Sequence, residues 1–583
     1  MILLLVVMQQ QAATPSLLRP LIFITAKLQG AMAIDPETNF NQLVDQYFDE
    51  YFKHNPTAST AAGFHRRDAE LEDYSQTEVR AQVAMLKGFA AKFENIRAKS
   101  LRPETASDRE LVISNINAAL LDLEHVRSWE KNPDRYNSGV ANSAYTIMSR
   151  SFAPADERLR SLISRERQMP KVFEAARANL KNPPRIFTEV ALEQVPGTIS
   201  FFKNDVPAAF TEVKNEKLLA EFKTANQDVI DALGQYEEFL KKDLLARSTG
   251  DFRLGAENFR KKLLYEEMVD IPLDRLLQIG YENLHANQEW FKQTAAKLDP
   301  QRTPQQILDD LTKDHPAPDK LLESVRNVLG GIRQFIIDHK IITIPSPVLP
   351  TIQDTPSFER ALTTASMDTP GPFETKAKEA YYNITPVEPE WTKEHIEEHM
   401  SSFNYGTLVS TSIHEAYPGH YVQFLWVQQA PSKIRKLLGC GSNAEGWAHY
   451  TEQMMLDEGY GQGDLKLRLG QLQDALLRNA RYIVGIQMHT GQMTYEQAIE
   501  FFVKEGYQSR AIAEVESKRG TSDPTYLIYT LGKLSILKLR EDYRKLRGDK
   551  FTLQEFHDGF MKQGFPPIKL IRRAMLGSDS PIL

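Results

Sequence analysis

Apolar residues recur at helical spacing along most of this chain, and this pattern constrains the fold more than any other feature. In residues 41–54, NQLVDQYFDEYFKH, the leucine, valine, tyrosines and phenylalanines share one helical face, and Asn55-Pro56 follows as a stop signal. Segments with the same pattern lie at 80–96, 158–180, 228–246, 272–298 and 318–339. Strand-like text is limited mainly to 341–349 and 380–387. The sequence therefore predicts a mainly α protein with few short strands.

A proline-rich stretch at 344–374 interrupts this periodicity. Proline and threonine are dense there, and proline is incompatible with a helix interior. We therefore predict a boundary in this stretch, with an N-terminal helical lobe over 34–345 and a second helical lobe over 346–583. The second lobe carries all the motifs discussed below, and we expect a central cleft between the two lobes.

Composition narrows the classes of function. Hydrophobic residues make up 42% of the chain and charged residues 25%, which is typical of a soluble globular protein. The net charge is −7 and no basic block is present, so the sequence gives no support for a nucleic-acid partner or an anionic membrane surface. Small molecules or peptides are the partners that we expect. The single cysteine, Cys440, excludes an internal disulfide.

The first 33 residues have features of a signal peptide. Arg19 precedes the apolar run 21–25, and Ala31-Met32-Ala33 offers a cleavage site after Ala33. A signal peptide over 1–33 would make the mature protein periplasmic or secreted. A misassigned start or a disordered leader, with a cytoplasmic protein, is the alternative. No apolar run approaches the roughly 20 residues of a membrane-spanning helix, so we expect the mature chain not to insert into a membrane.

The motif HEAYPGHYVQ at 414–423 is close to the zinc-binding helix pattern H-E-x-x-H, but its second histidine comes six residues after the first. On a regular helix, six residues rotate a side chain by about 120° from the starting face and advance it by about 9 Å, too far for one metal ion. Pro418 and Gly419 can interrupt the helix and return His420 to the face of His414. We therefore expect a broken helix with converging imidazoles.

A third ligand is available in NAEGWAHYTEQM, at 443–454. Glu445 lies 25 residues after His420 and can come from a helix that packs against the first. Glu452, two helical turns further on, is expected to orient a histidine ligand from behind. His449 is the rival third ligand, although a histidine on the helix surface is the simpler interpretation.

These two motifs resemble a bacterial family known as domain of unknown function 885, whose members carry H-E-x-x-P-G-H and E-G-W-A-x-Y-x-E. The resemblance extends over about 40–580. AEGWAHYTE is also similar to the third-ligand helix of the gluzincin aminopeptidases. The resemblance implies a mostly helical zinc metallopeptidase, with one Zn²⁺ per chain held by His414, His420 and Glu445, and with Glu415 as the base.

Further roles follow from the chemistry of peptide hydrolysis. Glu415 is expected to accept the proton of the attacking water. Tyr529 is our candidate for a donor to the oxyanion, with Tyr526 in reserve for that role and as a candidate substrate contact. Arg519 can bind a substrate carboxylate or form a surface ion pair with Glu516. Hydrolysis of esters or other amides, and a helical metal- or peptide-binding protein without catalysis, remain the alternatives to a peptidase.

Overall fold

The computed structural model describes residues 35–361 and 363–583, and the predicted signal peptide lies outside these residues. About 70% of the protein is helical, so the predicted mainly α class is confirmed. The pattern at 41–54 belongs to the helix Pro36–His54, which Asp35 caps at its start and which ends before Pro56. No helix in the described part of the chain is both long and apolar enough to cross a bilayer.

Most residues before residue 345 lie in helices. These helices are Pro36–His54, Pro56–Ala62, Gln76–Asn95, Pro103–Leu121, Ser128–Lys131, Asp134–Met148, Ala155–Glu166, Met169–Asn179, Arg185–Ser200, Val206–Ala208, Glu216–Phe239, Leu245–Arg247, Gly255–Glu266, Leu273–Leu298, Pro304–Leu311 and Leu321–Asp338. Three of them continue directly into short π-helical segments at Asp122–Val126, Phe201–Asp205 and Leu240–Leu244.

Helices after residue 345 carry the motifs. They are Lys393–Ser401, Tyr405–Glu415, His420–Val427, Lys433–Leu437, Gly441–Asp457, Leu465–His489, Tyr495–Lys504, Arg510–Ser522, Ile528–Arg547, Leu553–Met561 and Ile568–Leu576. We refer to Tyr405–Glu415, His420–Val427 and Gly441–Asp457 as the His414, His420 and Glu445 helices.

One three-stranded sheet interrupts the helices. Its strands are β1 (Thr351–Asp354), β2 (Ala365–Asp368) and β3 (Tyr381–Ile384), in the order β1-β3-β2. Strand β3 pairs parallel to β1 and antiparallel to β2, so β2 lies at an edge. The expected strand at 380–387 contains β3. The expected strand at 341–349 is wrong, because that proline-containing stretch runs without strand pairing and β1 begins just after it.

The hydrophobic cores combine residues from both sides of the predicted boundary. One cluster joins Ile332 and Ile341 to Trp447 and Ile571, and another packs Leu276 and its neighbours against the helix Leu465–His489. The helix Leu273–Leu298 lies along that same helix. The boundary between residues 345 and 346 therefore does not separate two independent cores, because long helices from one segment complete the apolar faces of the other.

Candidate metal centre

The His414 helix ends at Glu415, and the His420 helix begins five residues later. The backbone N–H of Gly419 turns back to donate to the carbonyl of Ile413 at 3.0 Å. A Cβ on Gly419 would lie 1.8 Å from the carbonyl oxygen of His414, so only glycine permits this approach. The interruption that we expected at Pro418 and Gly419 is confirmed. Asn404 caps the start of the His414 helix, which is separate from the preceding helix Lys393–Ser401.

Three side chains converge at this break. Nε2 of His414 and Nε2 of His420 each lie 3.3 Å from the same carboxylate oxygen, Oε2 of Glu445. One potential ligand atom from each of these three residues lies within 4.8 Å of the others. The two imidazole rings are nearly perpendicular, at 88°, with their centroids 4.9 Å apart. The fold thus brings together the three residues that the sequence nominated as ligands.

Two contacts hold the Glu445 helix in place, one at its start and one two turns after Glu445. At its start, the backbone N–H groups of Gly441 and Ser442 donate to the carboxylate of Glu267 at 3.1 and 2.9 Å. This contact satisfies helix donors that would otherwise have no partner. Two turns after Glu445, Glu452 is fully buried and accepts a hydrogen bond from Nδ1 of His414 at 2.7 Å. The carboxylate behind His414 that the sequence predicted is therefore present.

The arrangement fits a divalent cation. With its Nδ1 donating to Glu452, a neutral His414 presents the lone pair of Nε2 toward the Glu445 carboxylate. That Glu445 oxygen is buried and accepts no hydrogen bond from the described residues, so acceptors converge without a donor between them. Two histidines and one glutamate are a common zinc ligand set, in which a position stays open for water. The donor set therefore matches zinc.

The pKa shifts of His414 and Glu445 reflect the charges at this site. Burial by itself would lower the pKa of His414, but the carboxylates of Glu445 and Glu452 raise it to about 9. Burial would likewise raise the pKa of Glu445, but His420 and His414 hold it well below its usual range. Both shifts arise from the attraction between the imidazoles and the carboxylates, which favours a positive charge at this point. A bound cation supplies that charge without protonation of a ligand.

Glu415 lies beside the cluster at the end of the His414 helix. Its side chain is buried, and burial raises the pKa of its carboxyl group above the ordinary value. Tyr382 of β3 lies near both Glu415 and Ser412, so the sheet closes one side of this position. A carboxyl group held next to a ligand, with a raised pKa, suits proton transfer near neutral pH.

Tyr529 and Arg519 contact each other next to the cluster. The Tyr529 ring stacks over the His414 ring, with centroids 6.3 Å apart and planes 21° from parallel. Nη2 of Arg519 donates to the Tyr529 hydroxyl at 3.1 Å and forms an ion pair with Asp523 at 3.2 Å. The alternative in which Arg519 pairs with Glu516 is wrong, because Glu516 is buried and binds Arg481 through both oxygens.

Two other candidates lie away from the cluster. Tyr526 is fully buried against Gly485 and Gly520, so its assignment as a substrate contact is wrong in this structure. It faces the core, whereas the ring of Tyr529 lies over His414. His449 is fully buried rather than on the surface, and its Nδ1 donates to the second oxygen of Glu452 at 2.9 Å. It therefore supports Glu452 and is not one of the three converging residues.

Sequence reasoning missed Arg478 and Arg481, on the helix Leu465–His489. Nη2 of Arg478 lies 3.0 Å from Glu452, and the Arg478 and Arg481 guanidinium groups lie 5.7 and 5.1 Å from the centre of the Tyr529 ring. Both arginines are largely buried. Their spacing of three residues on a helix rich in apolar residues was a signal, since buried arginines require partners.

Comparison with known families and structures agrees with the fold. A family model described as "Bacterial protein of unknown function (DUF885)" matches residues 56–575. No curated protein matches the chain. A structure described as "a putative lipoprotein of unknown function" from Shewanella oneidensis is 29% identical, covers 92% of this chain and 99% of its own, and has a TM-score of 0.75.

A second structure, described as "the putative lipoprotein" from Colwellia psychrerythraea, shares the fold at 17% identity. It covers 94% of this chain and 99% of its own, with a TM-score of 0.80. The descriptions of both relatives are consistent with a location outside the cytoplasm.

Proposed function

This chain belongs to the bacterial family DUF885, and we propose that it is a zinc-dependent hydrolase that cleaves peptides. One observation carries the proposal. Two imidazole nitrogens and one carboxylate oxygen, from His414, His420 and Glu445, converge within 4.8 Å, and an acidic side chain with a raised pKa follows the first histidine. A site that only binds metal has no need of that acid.

When bound, zinc supplies a Lewis acid that polarises a carbonyl group and lowers the pKa of water. Glu415 is the group on this chain that would take the proton from the attacking water and deliver it to the leaving amine. Glu452 would hold His414 in the tautomer that leaves Nε2 free, and Arg478 would keep Glu452 ionised. Burial of these groups excludes bulk water, which strengthens each charge interaction.

Tyr529 would stabilise the oxyanion that forms on the substrate carbonyl. Its hydroxyl oxygen accepts a hydrogen bond from Arg519, so its own proton is available for donation. Its ring is held between His414 and the arginine side chains, which limits its rotation. An oriented donor of this kind stabilises charge that develops only in the transition state. Arg519 would thus act mainly through Tyr529, with its exposed part free to contact substrate.

Strand β2 favours a peptide over a small ester. It is an edge strand whose four residues are all partly exposed, and it packs against the His414 and His420 helices. An unpaired strand edge can bind an extended peptide through backbone hydrogen bonds. Its partner β3 carries Tyr382, which lies near Glu415. A peptide on this edge would run past the candidate base. We further propose a periplasmic or secreted location for the mature enzyme.

The test uses full-length protein purified without added metal. Elemental analysis should find about one zinc per chain, as the three-ligand site requires. The protein should cleave a mixture of peptides, as monitored by mass spectrometry. It should lose this activity after chelation and regain it when zinc is restored. A parallel panel of esters and non-peptide amides tests the alternative chemistry. Zinc-loaded protein that cleaves no peptide would overturn the proposal, and cleavage of esters alone would replace it by the esterase alternative.

A further inference from the structure

A polar cavity of about 300 Å³ lies on the opposite face of the small sheet from the candidate metal centre. Ser366 and Asp368 of β2 and Asn383 of β3 line it from the sheet. Tyr145 and Arg150 line it from the N-terminal half, on and just after the helix Asp134–Met148. The volume is at the lower end of the range for small-molecule sites, about 300 to 1,000 Å³.

Most charged groups in this cavity already have partners. Arg150 forms an ion pair with Asp368, which also accepts a hydrogen bond from the Tyr145 hydroxyl at 2.9 Å. His65 lies between Asp68 and Glu374, with nitrogen-to-oxygen distances of 3.1 and 2.8 Å. Each of these charged groups thus already has a partner within the cavity wall.

Glu359 is different. Its carboxylate lines the cavity but forms no hydrogen bond or ion pair with any side chain in the part of the chain that the structure describes. The neighbouring Arg360 points elsewhere, to Glu388 at 2.8 Å. Burial, followed by the nearby Asp368 carboxylate, raises the pKa of Glu359 to about 7. A cation beside Glu359 would reverse that penalty, because an opposite charge favours the ionised carboxylate.

The cavity is adjacent to the path that a substrate peptide would take along β2. Successive residues of a strand point to opposite faces, so Tyr382 faces the His414 helix while Ser366 and Asn383 face the cavity. Met367 packs against the same core as Tyr382 and also borders the cavity. A peptide paired with the β2 edge has the same alternation. Every second group of such a peptide would therefore project toward the cavity.

We propose that this cavity binds a positively charged group of the substrate peptide, an ammonium or a guanidinium, with Glu359 as its charge partner. The assignment to a peptide rests on the proposed function, but the cation site itself does not. Two groups supply this chemistry: a basic side chain and a free amino terminus. Both groups are small enough to fit a cavity of about 300 Å³.

The first experiment measures binding without hydrolysis. Calorimetry on the full-length protein compares three small probes of one shape: N-acetyl-lysine methylamide, norleucine methylamide with a free amine, and N-acetyl-norleucine methylamide, which has no charge. We expect at least one cationic probe to bind and the neutral probe not to bind. Glu359→Gln should weaken that binding by about tenfold or more, since it removes a charge-assisted contact. Which cationic probe binds distinguishes the side chain from the amino terminus.

Matched variants make the result decisive. Glu388→Gln removes a partly buried carboxylate nearby that does not line the cavity, and it should leave binding unchanged. Glu359→Met is a second variant in case the amide disturbs the site. Equal binding of the neutral probe, no binding of either cationic probe, or unchanged binding by both Glu359 variants would each overturn the proposal.

The second experiment uses hydrolysis. Two peptides are compared that differ only by lysine or norleucine at one position. The kcat/KM for the lysine peptide divided by that for the norleucine peptide should be about tenfold or more lower in Glu359→Gln than in the parent protein. If no peptide is cleaved, the proposed function fails while the calorimetry still decides the cation site. If peptides are cleaved with the same ratio in both proteins and the probes do not bind, the cation site fails while the hydrolase stands.

Discussion

Replacement of Glu452 by glutamine tests how the candidate metal centre is built. Glu452 is fully buried and contacts Nδ1 of His414 at 2.7 Å, Nδ1 of His449 at 2.9 Å and Nη2 of Arg478 at 3.0 Å. Glutamine keeps the shape of the side chain but removes its charge, and its NH₂ group cannot accept from a histidine N–H. The variant should therefore weaken the orientation of His414 without removing a ligand.

The structure sets the expected magnitude. Loss of a partner that orients a metal-bound histidine typically costs about 10 to 100-fold in metal affinity, which is about 1.4 to 2.7 kcal/mol. Removing one member of a buried ion pair costs about 3 to 5 kcal/mol of folding stability. Here the lower end applies, because Asp474 remains 3.9 Å from Arg478 as a partial replacement partner. We expect zinc affinity and stability to fall together in this variant.

A competition assay with a chromophoric chelator measures the zinc dissociation constant, and urea unfolding measures stability. Glu516→Gln is the matched control, since Glu516 is also a buried glutamate paired with an arginine, at 2.6 Å from Arg481, but does not contact a ligand. It should lose stability and keep zinc affinity. The reasoning is refuted if folded Glu452→Gln binds zinc like the parent, or if both variants lose zinc affinity equally.

Three further predictions concern catalysis and pH. Glu415→Gln should keep zinc content and fold but lower peptide hydrolysis by at least about 100-fold, because the amide cannot accept a proton; unchanged activity would remove Glu415 as the base. Tyr529→Phe should lower kcat by about 100 to 1,000-fold with little change in KM, as measured by steady-state kinetics, because its contact exists mainly in the transition state; a change in KM alone would assign Tyr529 to substrate binding. Burial lowers the pKa of His489 to about 4. His489 of the unfolded chain therefore binds a proton below about pH 6.5, whereas His489 of the folded chain binds one only near pH 4. The contribution of His489 to stability is thus complete above about pH 6.5 and is lost as the pH falls toward 4. Measured by urea unfolding at pH 6.5 and 5, the loss of stability should be smaller by about 2 kcal/mol in His489→Asn and unchanged in the exposed control His285→Asn; equal losses in all three proteins would contradict this assignment.

Helical periodicity and the two motifs predicted the fold class and much of the candidate metal centre. The pattern at 41–54 predicted a helix because burial of one face needs a repeat of about 3.6 residues, and that requirement is local. Pro418 and Gly419 predicted the break for a similarly local reason, since a missing N–H and a missing Cβ act within one turn. Spacing on the Glu445 helix also placed Glu452 on the same side as Glu445. Fold class and the three converging residues could thus be predicted from sequence.

Contacts between distant segments could be decided only by the tertiary structure. Arg481 binds Glu516 and leaves Arg519 to contact Tyr529, a choice that depends on how three separate helices pack. The same packing places Tyr529 over His414 and buries Tyr526, although both tyrosines lie on one short stretch. The cavity at Glu359 exists because a sheet and a distant helix enclose it. Charge partners and cavities are set by distances in space, and sequence spacing specifies these only within a single helix or strand.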